Sequence, residues 1–193
     1  IERSINSLLK NEGRIGMIVP ISIVSTDGYS TLRNVCQKSK SGYYFSNFGV
    51  RPSKLFDGVD KRLTIIIKSN EPADNCFTTK YYRWVSVERN NLFKNIAYQN
   101  VVRDYFSISG YPKVSSEIEQ TILKSLGKQS KSISNYCVRA SALKVKYTRK
   151  LQYFIQFFEN PPIIYDKDKT VIEPSELKEL SIGSEIEKNV LLS

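Results

Sequence analysis

The run RIGMIVPISI at residues 14–23 is the stretch of this chain that says most about its fold. Nearly every position is apolar and several residues are β-branched, which is typical of a strand buried on both faces in a parallel sheet. Pro20 has no amide N–H to donate to a central ladder, so we expect the strand to end near Val19. The run RLTIIIK at residues 62–68 predicts a second strand.

The segments around these two runs predict an α/β fold. A helix and an aromatic-rich strand follow the first run, and a long loop leads to the second, as in the C-terminal part of a doubly wound sheet that ends in a hairpin. The composition changes near residue 75, so we expect 1–75 to form this part and 76–193 to form a basic module of mixed α+β structure. The other predicted elements are helices at 2–10, 29–37, 114–126 and 176–180, and strands at 42–48, 81–85 and 144–158.

The residue types that the chain lacks exclude several kinds of chemistry. It contains no histidine, which removes His-based triads, the usual histidine acid–base catalysis and His-ligated metals. Its three cysteines, Cys36, Cys76 and Cys137, have no CxxC spacing, so we expect neither a disulfide framework nor a zinc site. Free thiols favour a reducing cytoplasm. No apolar run approaches the roughly 18 residues of a membrane helix, so we expect no membrane partner.

The positive charge is concentrated in one segment. The formal net charge of the chain is +10. Residues 80–150 contain 14 Lys and Arg against 4 Asp and Glu, while the rest of the chain contains 15 of each sign. This asymmetry is typical of a face that binds a polyanion. An ordinary solvated basic surface is the alternative interpretation.

Three motifs in the first 70 residues occur in an informative order. The segment Gly13–Pro20 ends in Val-Pro, the pair Leu32-Arg33 follows it, and Phe48–Ile67 comes next. In order and spacing these motifs resemble gamma-class adenine-N6 DNA methyltransferases, best the large single-chain enzymes of restriction–modification systems. In that family a Val-Pro strand follows the helix after the catalytic loop, the next helix carries Leu-Arg, and a hairpin follows. The resemblance covers residues 1–70 and continues more weakly through Leu180.

The resemblance implies methyl transfer to DNA by the complete enzyme. That enzyme would transfer a methyl group from S-adenosylmethionine to adenine N6 of double-stranded DNA without a metal. The family's Gly-containing cofactor loop has no counterpart here, and Asn160-Pro161-Pro162 precedes Ile163 where the family has an aromatic residue, so we interpret it as a turn. The chain would then be an internal fragment without the N-terminal methyltransferase half, with no cofactor bound and no activity alone. The open edge of the strand ending at Val19 would allow a dimer.

The resemblance assigns the stacking position for the target base to Phe56. A methyltransferase cannot reach adenine N6 inside a duplex, so the base is extruded into a pocket. An aromatic face stacked on that base replaces about 1–3 kcal/mol of the lost stacking. Arg51 and Lys54 flank Phe56 and would contact nearby phosphates. The alternatives are a Phe that fills the core and loop charges that contact only solvent. The assignment requires that the ring is not sealed in the interior and that 14–19 and 62–68 share one sheet.

The basic segment supplies the other DNA-binding candidates. Lys and Arg that neutralise phosphates give an affinity that falls steeply with salt. We expect most aromatic residues of this segment to be buried, so the prediction rests on its charges. The candidates are Arg83, Arg139, Lys144, Lys146, Arg149 and Lys150. Two other functions stay open, a stand-alone DNA-specificity module without catalysis and an unrelated RNA-binding α/β protein.

Overall fold

The structure is a computed structural model that describes residues 1–10, 13–38, 41–72, 75–102, 110–148, 155–172, 174 and 176–193. The chain divides into two compact units, residues 1–128 and 129–193. The boundary predicted at residue 75 falls inside the first unit, at the start of the strand Asn75–Tyr82. The change in composition near residue 75 does not mark the boundary between the two units, because strands on both sides of position 75 pair in one sheet.

A five-stranded mixed sheet forms the first unit, which confirms the mixed α/β class. Its strands are β1 (Ile15–Pro20), β2 (Ser41–Phe48), β3 (Leu63–Pro72), β4 (Asn75–Tyr82) and β5 (Gln99–Val102). They lie in the order β1-β3-β2-β4-β5. β1, β2 and β4 run in one direction, and β3 and β5 run in the other. The carboxyl ends of β1, β2 and β4 therefore meet at one edge, called here the carboxyl edge.

Short helices precede, connect and follow the strands of the first unit. They are a π-helical segment (Ser4–Leu8), α1 (Ser22–Ser25), a 3₁₀ turn (Asp27–Tyr29), α2 (Ser30–Lys38), a 3₁₀ helix (Ser86–Asn91) and α3 (Glu117–Gly127). The helix predicted at 29–37 corresponds to α2, and the helix predicted at 114–126 corresponds to α3. Ser116 and Glu119 form the capping box that the sequence of α3 indicates.

The expectation that β1 is buried on both faces in a parallel sheet is wrong. β1 lies at the edge of the sheet and pairs antiparallel with β3. The burial of its side chains alternates, and Ile18 is half exposed. An edge position also explains why the strand includes Pro20, since an edge strand has one side where no ladder needs an N–H donor.

Two apolar clusters cover opposite faces of the sheet. On one face Tyr43, Phe45 and Ile66 pack with Ile23 and Val24 of α1, together with Cys36 and Tyr111. On the other face, at the carboxyl edge, the cluster contains Phe48, Leu55, Leu63, Tyr82, Trp84 and Leu92. The second cluster joins the end of the sheet to the loops that follow β2 and β4.

The second unit contains smaller sheets. The strands β6 (Lys144–Thr148), β7 (Phe157–Phe158) and β10 (Leu177–Ser181) form an antiparallel sheet in the order β10-β6-β7, and β8 (Ile164–Tyr165) pairs with β9 (Val171–Ile172). A 3₁₀ turn (Ile133–Asn135) precedes them, and α4 (Glu185–Leu192) ends the unit. The helix predicted at 176–180 is wrong, because these residues pair with β6 as strand β10. A five-residue segment is too short for local helix signals to outweigh such pairing.

The helices of the described residues do not include one with both the length and the apolar composition needed to cross a membrane.

Candidate nucleic-acid interface

Two long connections meet at the carboxyl edge. One connects β2 to β3 (49–62), and the other leaves β4 towards β5 (83–98). The Gly49 N–H donates to the Tyr82 carbonyl at 2.8 Å, and the Ser53 N–H donates to the Trp84 carbonyl at 3.1 Å. Because these bonds hold the connections side by side, residues 49–62 and 83–94 form one surface, called here the edge surface.

A buried polar network supports this end of the sheet. The pairing of β2 with β4 shifts register between Phe45 and Asn47. The amide of the fully buried Asn47 spans the irregularity, accepting from the Thr64 hydroxyl at 2.9 Å and donating to the Thr79 carbonyl at 3.0 Å. A buried amide whose donor and acceptor are both hydrogen-bonded holds the neighbouring strands in one arrangement. The network therefore keeps the strand ends that carry the edge surface in fixed positions.

Phe56 lies at the turn of the first connection. Leu55 is 4% exposed and belongs to the apolar cluster, whereas Phe56 is 40% exposed. The Val59 N–H donates to the Phe56 carbonyl at 3.3 Å, and Gly58 follows with φ of +75°, a conformation that favours glycine. Leu55 thus anchors the loop, and the ring of the next residue stays partly open to solvent.

A cavity of about 360 Å³ opens beside this turn. Its walls come from both connections, and Phe56 directly precedes the lining residue Asp57 without being a lining residue itself. The hydroxyls of Ser53 and Ser86 lie 3.0 Å apart. The Arg89 guanidinium lies 5.6 Å from the centroid of the Trp84 ring and donates to the Leu55 carbonyl at 3.1 Å. The lining residues are Pro52, Ser53, Lys54, Asp57, Gly58, Trp84, Ser86 and Arg89.

The predicted loop cations Arg51 and Lys54 differ in their surroundings. Arg51 is exposed. Lys54 forms an ion pair of 2.7 Å with Asp60, so the charge of this lysine is balanced within its own loop. The hydrogen bond from Lys54, followed by its charge, lowers the pKa of Asp60 below the ordinary range. Lys54 therefore helps to hold the turn in place.

Positive charge dominates the edge surface. It contains seven Lys and Arg against three Asp and Glu, and every cation except Lys54 is exposed. The predicted residue Arg83 is among them, and its guanidinium lies 5.8 Å from the centroid of the Tyr81 ring. The cations are Arg51, Lys54, Lys61, Arg62, Arg83, Arg89 and Lys94.

The predicted basic residues of the second unit are arranged differently. Lys144 and Lys146 share one face of β6, as their alternation predicts, but Lys144 forms a 2.9 Å ion pair with Glu179. Glu179 is also the residue opposite Lys146 in the register of β10 and β6. Arg139 is exposed. The remaining two, Arg149 and Lys150, lie outside the described residues.

Lys54 is the one lining residue that the sequence predicts as a site residue; Ser53, Trp84, Ser86 and Arg89 are not among its predicted site residues. Trp84 is the only tryptophan of the chain, and Arg89 follows it by five residues. That proximity gives no sign that Arg89 contacts the Lys54 and Leu55 carbonyls, which are 35 and 34 residues away in sequence. Only the folded arrangement of the connections brings these groups together.

The described residues contain no group of three or more Cys, Asp and Glu side chains that could hold a metal ion. Asn160-Pro161-Pro162 lies in the second unit, in the loop between β7 and β8. It follows a two-residue strand that ends at Phe158. This position agrees with the interpretation of Asn-Pro-Pro as a turn.

Comparison of the chain with models of protein families, with curated proteins and with solved structures finds no match. What the edge surface binds is therefore inferred from its own contacts and charges.

Proposed function

We propose that this chain is the DNA-facing part of an adenine-N6 DNA methyltransferase of the restriction–modification type, and that its edge surface receives the target adenine. The observation that carries the proposal is the half-exposed ring of Phe56 on a turn beside a cavity in a positively charged surface. An extruded base needs an aromatic face, and the strand from which it is extruded carries phosphates that need cations.

The position of the surface supports this proposal. In α/β sheets ligands bind outside the carboxyl ends of the strands, and the edge surface occupies that place beyond β2 and β4. Residues 14–19 and 62–68 lie in one sheet, as adjacent strands β1 and β3. Separate sheets, or a sealed ring at position 56, would have excluded the hypothesis, and neither occurs in the described residues.

The proposal divides the reaction between this chain and the rest of the complete enzyme. Phe56 stacks on the extruded adenine, and Arg51 and Arg83 contact phosphates around it. S-adenosylmethionine supplies the methyl group, and the N-terminal methyltransferase half supplies the cofactor loop and the catalytic Asn-Pro-Pro-aromatic loop. The chain alone binds DNA without methylating it. Self-association through the open edge of β1 stays a prediction.

Binding to adenine in a mismatch tests the proposal. Extruding a mismatched base costs less than extruding a paired one, so a surface that captures the base binds the mismatched duplex more tightly. We expect fluorescence anisotropy to give a preference of about fivefold or more for a duplex with one A·C mismatch over its A·T counterpart. Phe56→Leu keeps an apolar side chain without a π face and should remove this preference. Phe56→Tyr should retain it.

The salt dependence provides the matched control. Both Phe56 variants should keep the wild-type slope of log affinity against log salt, because they change no phosphate contact. Equal binding of mismatched and paired duplexes by the wild-type protein would contradict base capture and favour a stand-alone DNA-binding module. Tighter binding to a structured RNA than to either duplex, at the same salt, would favour the RNA-binding alternative.

A further inference from the structure

The side chain of Trp84 contains an unsatisfied donor. The residue is 4% exposed, and it lines the cavity of the edge surface. Its indole N–H is buried without a hydrogen-bond acceptor among the described residues. Tryptophan has a single donor, and a buried donor without an acceptor costs free energy. Such a group points to an acceptor that the described residues do not provide.

Arg89 has donors in excess of those that its described contacts use. One guanidinium nitrogen donates to the Leu55 carbonyl at 3.1 Å, and the other approaches the Lys54 carbonyl at 3.4 Å. A guanidinium has five N–H donors in a rigid fork, so three are left for a further partner. The ring of Trp84 and the Leu55 carbonyl hold the fork in place, which preorganises these donors.

The other polar groups of the cavity are mostly donors too. Ser53 and Ser86 share one hydrogen between their hydroxyls, which leaves the second available. The ammonium of Lys54 uses one of its three hydrogens on Asp60. Asp57 is the only carboxylate in the lining, so donors outnumber acceptors. The ligand that fits such a cavity is rich in acceptors, compact and anionic.

We propose that this cavity is a phosphate site, which holds one backbone phosphate of a bound nucleic-acid strand. That the phosphate belongs to a nucleic acid rests on the proposed function, in which the positively charged edge surface around the cavity binds DNA. Phosphate oxygens accept from the Trp84 N–H and from the free side of the Arg89 fork, and arginine binds phosphate in a bidentate manner. The cavity volume of about 360 Å³ lies within the usual range of ligand pockets.

The intrinsic fluorescence of the full chain tests the site directly, since Trp84 is its only tryptophan. Three probes are titrated at constant ionic strength: inorganic phosphate, a thymidine hexanucleotide with phosphodiester linkages, and the same hexanucleotide with uncharged methylphosphonate linkages. We expect a saturable change in emission with the first two probes and none with the third. A constant emission with both phosphate-containing probes would overturn the proposal. Saturation by inorganic phosphate alone would overturn the nucleic-acid source.

Trp84→Phe tests the indole N–H itself, with anisotropy of the labelled hexanucleotide as the readout. The variant keeps an aromatic ring beneath Arg89 and removes the donor. We expect binding to weaken by about tenfold, or about 1.4 kcal/mol. The thermal midpoint of the free protein should fall only by the amount that the smaller buried ring explains, because no satisfied hydrogen bond is removed. Wild-type affinity of this variant would overturn the proposal. If the variant fails to fold, Arg89→Lys, which keeps the charge but not the fork, should show the same weakening.

Tyr29→Phe is the matched control, since it removes a polar group from an exposed aromatic residue outside the edge surface and the cavity, and it should bind like the wild type. The outcomes separate this site from base capture. Loss of the mismatch preference in Phe56→Leu with unchanged binding by Trp84→Phe would keep the proposed function and reject the phosphate site. Fluorescence saturation without any mismatch preference would keep the phosphate site and reject base capture.

Discussion

The two units of this chain contain basic residues in similar density but with different partners. Residues 1–128 contain 19 Lys and Arg against 11 Asp and Glu, whereas residues 129–193 contain 10 against 8. In the second unit Lys144 contacts Glu179, and Lys188 contacts both Glu159 and Glu185. On the edge surface six of the seven cations are exposed. A run of basic residues along a sequence therefore does not indicate which charges a polyanion can reach.

The two units also differ in the side chains that they bury. The first unit has two apolar clusters on the faces of its sheet. In the second unit the buried side chain of Lys188 forms 2.8 Å and 2.6 Å ion pairs. Hydrogen bonds to Glu159 and then Glu185 raise the pKa of Lys188 above its ordinary value. The second unit thus combines the fully buried apolar residues Val145 and Ile182 with one buried lysine that is paired with two carboxylates.

The largest expected effect tests whether the units fold independently. Phe48 is fully buried and stacks on Tyr82 with ring centroids 5.9 Å apart, so Phe48→Ala should cost about 3–5 kcal/mol. Val145 is the fully buried counterpart in β6, and Val145→Ala should cost about 2 kcal/mol. In calorimetry of the full chain, each substitution should lower a different transition. A single transition lowered by both would mean that the units unfold together.

The second prediction compares how much the cations of the edge surface and those of the second unit contribute to DNA affinity. Arg51→Gln, Arg62→Gln and Arg83→Gln together should reduce the affinity for duplex DNA by on the order of 10–100-fold, and the salt slope should fall by about 0.9 for each phosphate that is no longer neutralised. The matched triple substitution removes the same charge from the second unit, at Arg139, Lys144 and Lys146. It should have a clearly smaller effect, because Glu179 already neutralises part of that charge. Equal reductions in affinity would assign DNA binding to both units.

The smallest effect concerns the helix caps. The hydroxyl of Ser116 accepts from the Glu119 N–H at 3.3 Å in α3, and that of Ser184 accepts from the Glu187 N–H at 3.3 Å in α4. Ser116→Ala and Ser184→Ala should each cost about 1 kcal/mol of the stability of their own unit. Calorimetry would measure both. An effect of either substitution on the transition of the other unit would contradict the separation.

The α3 cap should also make the stability of the first unit depend on pH. The Ser115 N–H donates to the Glu119 carboxylate at 2.6 Å, and this bond is the main cause that lowers the Glu119 pKa. A lowered carboxyl pKa stabilises the fold above the unfolded value of about 4.3, and this contribution is lost as the pH falls through the lower folded pKa. Glu119→Gln should flatten that dependence. An unchanged pH profile would exclude a role for this carboxylate.

The parts of the fold that could be predicted have strong local signals. The run at 62–68 forms β3, and the Ser116–Glu119 pattern marks the start of α3. The helix predicted at 176–180 failed because its strand character comes from pairing with β6, which is distant in sequence. For the site, the ring of Phe56 is partly exposed, as the stacking assignment requires, and the assignment itself stays a prediction. The cavity was missed because its walls come from Ser53 and Ser86, which are 33 residues apart.

The strand-forming runs, the capped helix and the exclusion of histidine chemistry can all be inferred from the amino-acid sequence. These properties depend on residue type and on neighbours within a few positions, so no folded structure is needed to infer them. Three other properties are visible only in the folded chain: β1 is an edge strand, Lys144 has an acidic partner, and Trp84 and Arg89 form a cavity wall with the loop of residues 49–62. These properties depend on contacts with segments that are distant in sequence. Those contacts decide whether a charged group or a hydrogen-bond donor is left for a ligand.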